Sequence, residues 1–332
     1  MGFETQDVDR KVLAILKILS DSPKSLGSKV IARRLKEQGV DLSERAIRYH
    51  LNLMDERGLT HLKGQREGRE ITAHGKKEVT NALVKDKVGF AISRIELLAF
   101  RTTFDPQSRT GLIPVNVSLF RKDDFSKALR IMKPIFKSGL CVSDLVMIAG
   151  EGKVIGDLIV PEGKVGLATV CSIVVNGTLL KAGVPIDSKF GGILQMQNNL
   201  PVRFVELIHY AGSSLDPTEI FIRANMTSVA KASETGSGEI LANYREVPAA
   251  CRPLVEEVAT RLRDAGIGGI LATGKISEPV CEIPIELNRV GVILIGGLNP
   301  VAAAAELGIS SESHAMSTVV DYQALKNINE FE

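Results

Sequence analysis

The 332-residue sequence contains no tryptophan, and aromatic residues of every kind make up only 5% of it. A reader of single-stranded nucleic acid needs aromatic platforms on which bases stack, so that mode of binding is disfavoured. Cysteine is sparse as well. Cys141, Cys171, Cys251 and Cys281 are far apart, with no C-x-x-C pair and no histidines at ligand spacing, which argues against a zinc site or a disulfide framework. The pattern suits reduced, mostly buried thiols in a cytoplasm. No apolar run approaches the roughly 18 residues of a membrane span, and the opening "MGFETQDVDR" is acidic with no apolar core of a secretory leader. Catalytic signatures are missing too. There is no G-x-S-x-G, Walker A or H-E-x-x-H, and the histidines, His50, His61, His74, His209 and His314, form no constellation. Neither an enzyme nor a resident metal or cofactor is expected.

What is present is an uneven charge. Residues 1–85 carry 17 Lys and Arg against 12 Asp and Glu, while the remainder carries 24 against 27. The basic excess lies where a polyanion could be gripped. The length allows two or three domains of about 150 residues, and the texture divides the chain into residues 1–85 and 86–332.

In the first part, Val12, Ile15, Leu16 and Leu19 mark an amphipathic helix over residues 8–20. A second helix, "LGSKVIARRLKEQG", is expected to stop at Gly39. A third follows the capping candidates Asp41 and Ser43 and turns Ile47, Leu51 and Met54 to one face. Arg45, Arg48, Tyr49 and Asn52 then share the other face at i, i+3, i+4 and i+7. Arginine can donate bidentately to guanine, asparagine can pair with adenine, and tyrosine can reach a phosphate. Beyond Gly58, "LTHLKGQREGREI" reads as two short strands with Lys63, Arg66 and Arg69 near the tip. Three helices, a basic third helix and a basic wing together predict a winged helix-turn-helix that binds double-stranded DNA. The alternative is a winged helix used as a protein-interaction module.

The second part predicts a mixed α/β (α+β) fold built by duplication. "KVGLATVCSIVVNGTLLKAGVPI" (164–186) and "RVGVILIGGLNPVAAAAELGISS" (289–311) align without a gap, each passing from an apolar strand through a small-residue turn to a helix that stops at Gly183 or Gly308. The match extends upstream, giving repeats of about 111–196 and 238–320. Two such units, neither able to bury its faces alone, should pair about a pseudo-twofold axis with a cleft between them. The turns Cys171-Ser172 and Gly296-Gly297-Leu298-Asn299 sit at helix N-termini, where free N–H groups and the dipole favour anions. Lys189 adds a cation, Gly191 and Gly192 allow close backbone approach, and His314 falls at the repeat position of Lys189. Tight turns and caps alone, with Pro300 at the first helical position, would account equally for these small residues.

The strings "TVCSIVVNGTLLKAGVPIDSKFGGIL", "GIGGILATG" and "RVGVILIGGLNPVAAAAELGI" resemble the regulatory domain of the NrpR family, archaeal nitrogen regulatory repressors, and the winged helix ahead of them resembles that family's DNA-binding domain. The resemblance spans about residues 8–325. It implies a repressor of nitrogen-assimilation genes that binds palindromic operators as a dimer or tetramer and is released by 2-oxoglutarate as allosteric effector. The family carries one or two copies of the regulatory domain, so a single copy here leaves open a second regulatory-domain polypeptide as partner. Carried over to this sequence, effector contacts would be restricted to Cys171-Ser172, Lys189 to Gly192 and Gly296 to Asn299. An enzyme with an α/β catalytic domain and an accessory winged helix is the competing reading.

Overall fold

The computed structural model describes residues 2–331 apart from Pro23, 38–39, 65–66 and 82–88. The expected helix stop at Gly39, the wing residue Arg66 and the boundary between 85 and 86 lie outside the described residues. The chain divides into two compact units, residues 1–87 and 88–332.

The first unit runs α1 (Gly2–Ser20), α2 (Ser28–Glu37), α3 (Glu44–Glu56), β1 (Thr60–Gly64), β2 (Gly68–Ile71) and α4 (Ala73–Asn81). Apolar stripes from all three leading helices meet in one core, where Ile15, Leu16, Ile31, Leu35, Ile47, Leu51 and Met54 are sealed from solvent. Each such side chain contributes about 1.5–3 kcal/mol on burial. Ser43 caps α3 by accepting the Ala46 N–H at 3.2 Å. The helix ends in a Schellman arrangement, with Gly58 N–H on Asp55 O and Leu59 N–H on Met54 O, both at 2.9 Å. Strands β1 and β2 pair antiparallel as the wing, and Leu26 bridges to Arg69 on its outer side. Gly68, at φ +85°, is fixed by that contact, since a Cβ there would stand 2.3 Å from the Leu26 carbonyl.

The second unit opens with α5 (Phe90–Arg101). It then runs β3 (Leu112–Arg121), α6 (Lys122–Lys137), β4 (Leu145–Ala149), a small hairpin β5 (Val154–Ile155) and β6 (Leu158–Ile159), β7 (Lys164–Val170), α7 (Ile173–Lys181) and β8 (Asp187–Gln197). An added strand β9 (Leu200–His209) and two short helices, α8 (Pro217–Arg223) and α9 (Val229–Thr235), lead to a second copy. That copy is β10 (Gly238–Pro248), α10 (Arg252–Asp264), β11 (Ile270–Thr273), β12 (Arg289–Ile295), α11 (Asn299–Glu306) and β13 (Glu312–Asp321), followed by β14 (Lys326–Asn327). Hairpin β5–β6 aside, both copies read β-α-β-β-α-β, the split βαβ motif of ferredoxin-like folds.

The copies are not side by side. One sheet has the order β11-β12-β10-β8-β9 and the other β13-β3-β7-β4-β14, with every neighbouring pair antiparallel. In each sheet the first three strands of one copy are completed by the fourth strand of the other. The first strands β3 and β10, both interior to their sheets, are buried on both faces along nearly their whole length. The exchange brings the equivalent turns, after β7 and after β12, to one pseudo-twofold axis.

Candidate functional site

The outer face of α3 is built as its periodicity requires. With Ile47, Leu51 and Met54 locked in the core, Arg45, Arg48, Tyr49 and Asn52 are exposed on the opposite side. Tyr49 is 66% exposed, in the open for an aromatic residue. Arg48 has Glu44 at 3.8 Å and Lys63 has Glu70 at 3.8 Å, both loose surface pairs that a phosphate can displace. Arg69 is placed otherwise. Its Nε donates to Asp55 Oδ2 at 2.6 Å and its other nitrogen to Asn52 Oδ1 at 2.6 Å, so it ties the wing to α3. With Oδ1 engaged, the Asn52 amide keeps its N–H donors for a base edge, and bidentate pairing with adenine requires Arg69 to let go.

In the second unit a cavity lies on the pseudo-twofold axis. Strand register sets the equivalence: Val115 faces Val170, Ala242 faces Ile295, and Asn116 and Asn243 each stand one residue further on. Both asparagines line the cavity, together with Cys171-Ser172-Ile173 of one copy and Gly297-Leu298 of the other. The first turns of α7 and α11 thus open at it. Asn243 Nδ2 donates to Ser172 Oγ at 3.2 Å, and Tyr210 donates its hydroxyl proton to Asn243 Oδ1 at 2.5 Å. Asn116 Oδ1 accepts the Met316 N–H at 3.0 Å. Gly297 is required by the fit, because a Cβ would stand 2.6 Å from Asn116 Nδ2 and 2.4 Å from Val170 O.

The cation of the cavity is Arg245, only 1% exposed. Its hydrogen-bond and ring partners are neutral: Tyr244 O at 3.2 Å, Asn176 Oδ1 at 3.5 Å and the Tyr210 ring, whose centroid is 4.9 Å away. It forms no ion pair with a carboxylate among the described residues. Asp216, also on the wall, caps α8 by accepting the Thr218 N–H at 2.8 Å. Burial holds its carboxyl above the ordinary range against the lowering by those Thr218 bonds and by Arg245. Burial likewise pushes the Cys171 thiol up to about 12, so it is protonated and no nucleophile. A buried guanidinium with no carboxylate in ion-pair contact, sharing its cavity with Asp216 and surrounded by helix N-termini and amide donors, suits a small anion with hydrogen-bonding oxygens.

The sequence-expected residues scatter around this centre. Cys171, Ser172 and Gly297 line it. Gly191 stands behind the wall, making room for the Tyr210 hydroxyl and Pro217, each 3.0 Å from where its Cβ would be. Gly192 and Gly296 serve packing, against Glu206 O and against Leu241. Asn299 is fully buried and bonds both Leu241 N and Leu241 O at 2.8 and 3.1 Å, in place of a neighbouring strand. Lys189 is paired with Asp187 at 2.7 Å and Glu246 at 3.4 Å and does not line the cavity, so the cationic part falls to Arg245. His314 is half-exposed beside Glu312, one residue before the lining pair Ala315-Met316.

Sequence reasoning missed Asn116, Tyr210, Asp216, Asn243 and Arg245. One signal was available: "VNVSLF" and "ANYREV" occupy the same repeat position, so their asparagines form a pair. Among the described residues no helix is long and apolar enough to cross a membrane, and no cluster of three His, Cys, Asp or Glu could hold a metal ion.

Residues 88–327 match the family model of NrpR regulatory domains NRD1 and 2, and residues 13–79 match that of the ribonuclease R winged-helix domain. The chain is similar to the global nitrogen regulator NrpRI of Methanosarcina mazei, 40% identical over 97% of this chain and 98% of the relative. It is also similar to the global nitrogen regulator NrpR of Methanocaldococcus jannaschii, 33% identical over 97% of this chain but only 56% of that longer protein. Among solved structures, a nitrogen repressor-like protein from Methanococcus jannaschii superposes with a TM-score of 0.61 at 30% identity, covering 73% of this chain and 99% of that one. The named relatives are regulators and not enzymes, which removes the catalytic reading. A winged helix followed by a duplicated regulatory domain, matched over nearly its whole length by nitrogen regulators, places this chain in the NrpR family.

Proposed function

We propose that the protein is a transcriptional repressor of nitrogen-assimilation genes in which residues 1–85 read a palindromic operator and residues 86–332 dimerise and bind 2-oxoglutarate. The observation that carries the effector half is Arg245: a desolvated guanidinium with neutral partners, on a cavity where two helix N-termini and two amides converge. A dicarboxylate supplies a directly bonded carboxylate for Arg245 at one end and accepts hydrogen bonds at the other. The reader half rests on the exposed Arg45, Arg48, Tyr49 and Asn52 opposite a sealed core. One reader reaches only a few base pairs, whereas two related by a twofold axis address half-sites about one helical turn apart.

The test is fluorescence anisotropy of a palindromic promoter fragment with and without 2-oxoglutarate. A coupling of about 1–3 kcal/mol lowers operator affinity roughly 5–150-fold, and linkage requires DNA to weaken effector binding by the same factor. Ser172→Asp adds a carboxylate at the cavity wall and should yield a repressor that no longer lets go. Equal calorimetric binding of 2-oxoglutarate by wild type and this variant would move the effector elsewhere.

A further inference from the structure

The cavity has one strongly irregular wall. On β13, His314 faces Val117 and Thr318 faces Val115, so four steps along β13 correspond to two along β3. The two extra residues form a bulge in which Met316 takes φ +49°, a left-handed conformation disfavoured for a residue with a side chain. Ala315 and Met316 face the cavity, and the Met316 N–H is held by Asn116 Oδ1 at 3.0 Å. The outward carbonyls of the bulge leave the strand ladder and are gathered by one side chain. Arg94 Nε donates to Met316 O at 2.6 Å and another of its nitrogens donates to Ser317 O at 2.7 Å.

Arg94 lies on α5, the first described element after the winged helix and therefore the element through which the chain enters the regulatory unit. The same helix touches the opposite wall. Its Ala91 N–H reaches Ser213 O at 3.4 Å, in the short loop that runs into the lining residues Asp216 and Thr218. The two walls are joined to each other as well, since Glu219 Oε1 accepts the Ala315 N–H at 2.8 Å. A small anion entering the cavity competes with Asn116 Oδ1 for the Met316 N–H, the bond that holds the bulge in its strained form.

Resting on the effector reading above, we infer that Arg94 is a positioning residue for the allosteric response: it clamps the Met316-Ser317 bulge to α5 and so passes occupancy of the cavity to the segment leading into the DNA reader. The guanidinium fork engages two successive carbonyls, so a movement of the bulge drags the helix with it. Arg94 is not among the residues that line the cavity. Its role is in the coupling between the two affinities.

The experiment compares full-length wild type with Arg94→Ala and Arg94→Lys. Calorimetry gives 2-oxoglutarate affinity, and anisotropy gives operator affinity with and without saturating effector. The expected result is that Arg94→Ala keeps both separate affinities within about threefold of wild type while its effector-induced release falls from the roughly 5–150-fold range to below about threefold. Arg94→Lys, which keeps the charge but loses the fork, should fall between. Arg94→Gln gives the same comparison if the alanine variant folds poorly. Full release by Arg94→Ala or Arg94→Gln overturns the clamp and leaves the effector reading standing. A tenfold loss of effector affinity also overturns it, because Arg94 would then belong to the binding site. Wild type that neither binds 2-oxoglutarate nor releases DNA overturns both.

Discussion

Arg245 shows what a single side chain contributes at the cost of another property. Its charge is withdrawn from water, its hydrogen bonds go to neutral groups, and the Asp216 carboxyl shares its cavity without ion-pair contact, which is unfavourable without a directly paired counter-ion. Replacement by methionine should therefore raise the thermal midpoint of the ligand-free protein and reduce 2-oxoglutarate affinity by tenfold or more, by about 1.4 kcal/mol at least. Scanning calorimetry and titration calorimetry on the same variant check the two halves. Asp216 adds a pH dependence. Its folded pKa is raised above 3.8, chiefly by burial, so the associated stability is fully present below 3.8 and is lost as pH rises through the folded value. Asp216→Asn keeps an oxygen to accept the Thr218 N–H and removes that loss. The variant should melt higher than wild type near neutrality, with the gap closing on acidification. Anion binding beside Arg245 further favours the protonated acid, so 2-oxoglutarate should bind with proton uptake, read from calorimetry in buffers of different ionisation enthalpy. None of this was legible from spacing, because Arg245 and Asp216 are isolated in sequence and acquire meaning only when β10 and the loop before α8 meet.

At the scale of the element, the helix faces were readable and the contacts between elements were not. The spacing of Ile47, Leu51 and Met54 predicts which side of α3 is buried, and with it the exposure of Arg45, Arg48, Tyr49 and Asn52. Periodicity contains no information about Arg69 crossing from the wing to Asp55 and Asn52, which depends on the Leu26–Arg69 bridge and on Gly68. Arg48→Ala should cost operator binding roughly 1–3 kcal/mol and relax preference at particular base pairs. Arg69→Ala should behave differently from a lost phosphate contact: it loosens the wing, lowers the stability of the reader, and frees the Asn52 amide, shifting base preference without reducing the salt slope of binding by about one. Anisotropy across a set of single-base operator variants, repeated at several salt concentrations, separates the two. The glycine stops at Gly183 and Gly308 were likewise legible, both at positive φ after the equivalent helices of the two repeats.

For the whole molecule, the duplication could be read from the aligned strings, whereas the exchange of fourth strands could not. Local propensity and pattern are identical whether β8 completes its own sheet or its neighbour's, and only the connection lengths and the closing of two cores decide. The physical consequence is cooperativity. A fragment ending after β8 lacks the β13 that borders β3, and offers β8 with no β10 to receive it. Residues 88–236 and 237–332 made separately should be aggregated or unfolded, and should regain native circular dichroism when produced together. The intact regulatory unit should melt in one calorimetric transition in which the van't Hoff and calorimetric enthalpies agree. Two transitions would mean that each sheet is a folding unit of its own.

The exchanged strands also make the cavity lopsided in a way two identical chains could never achieve. Were the halves separate copies of one polypeptide joined in the same manner, every lining group would occur twice, and a bound molecule would sit equally well either way round. Here the asparagine is kept in both halves, but the position of Arg245 is occupied by Ser118 in the other, and the bulge at Met316 corresponds to Gly191 within a regularly paired stretch of β8. Covalent fusion has released the halves from having to be the same. If the proposed effector binds here, its two ends, one a bare carboxylate and the other a carboxylate beside a ketone, would meet a site with a head and a tail.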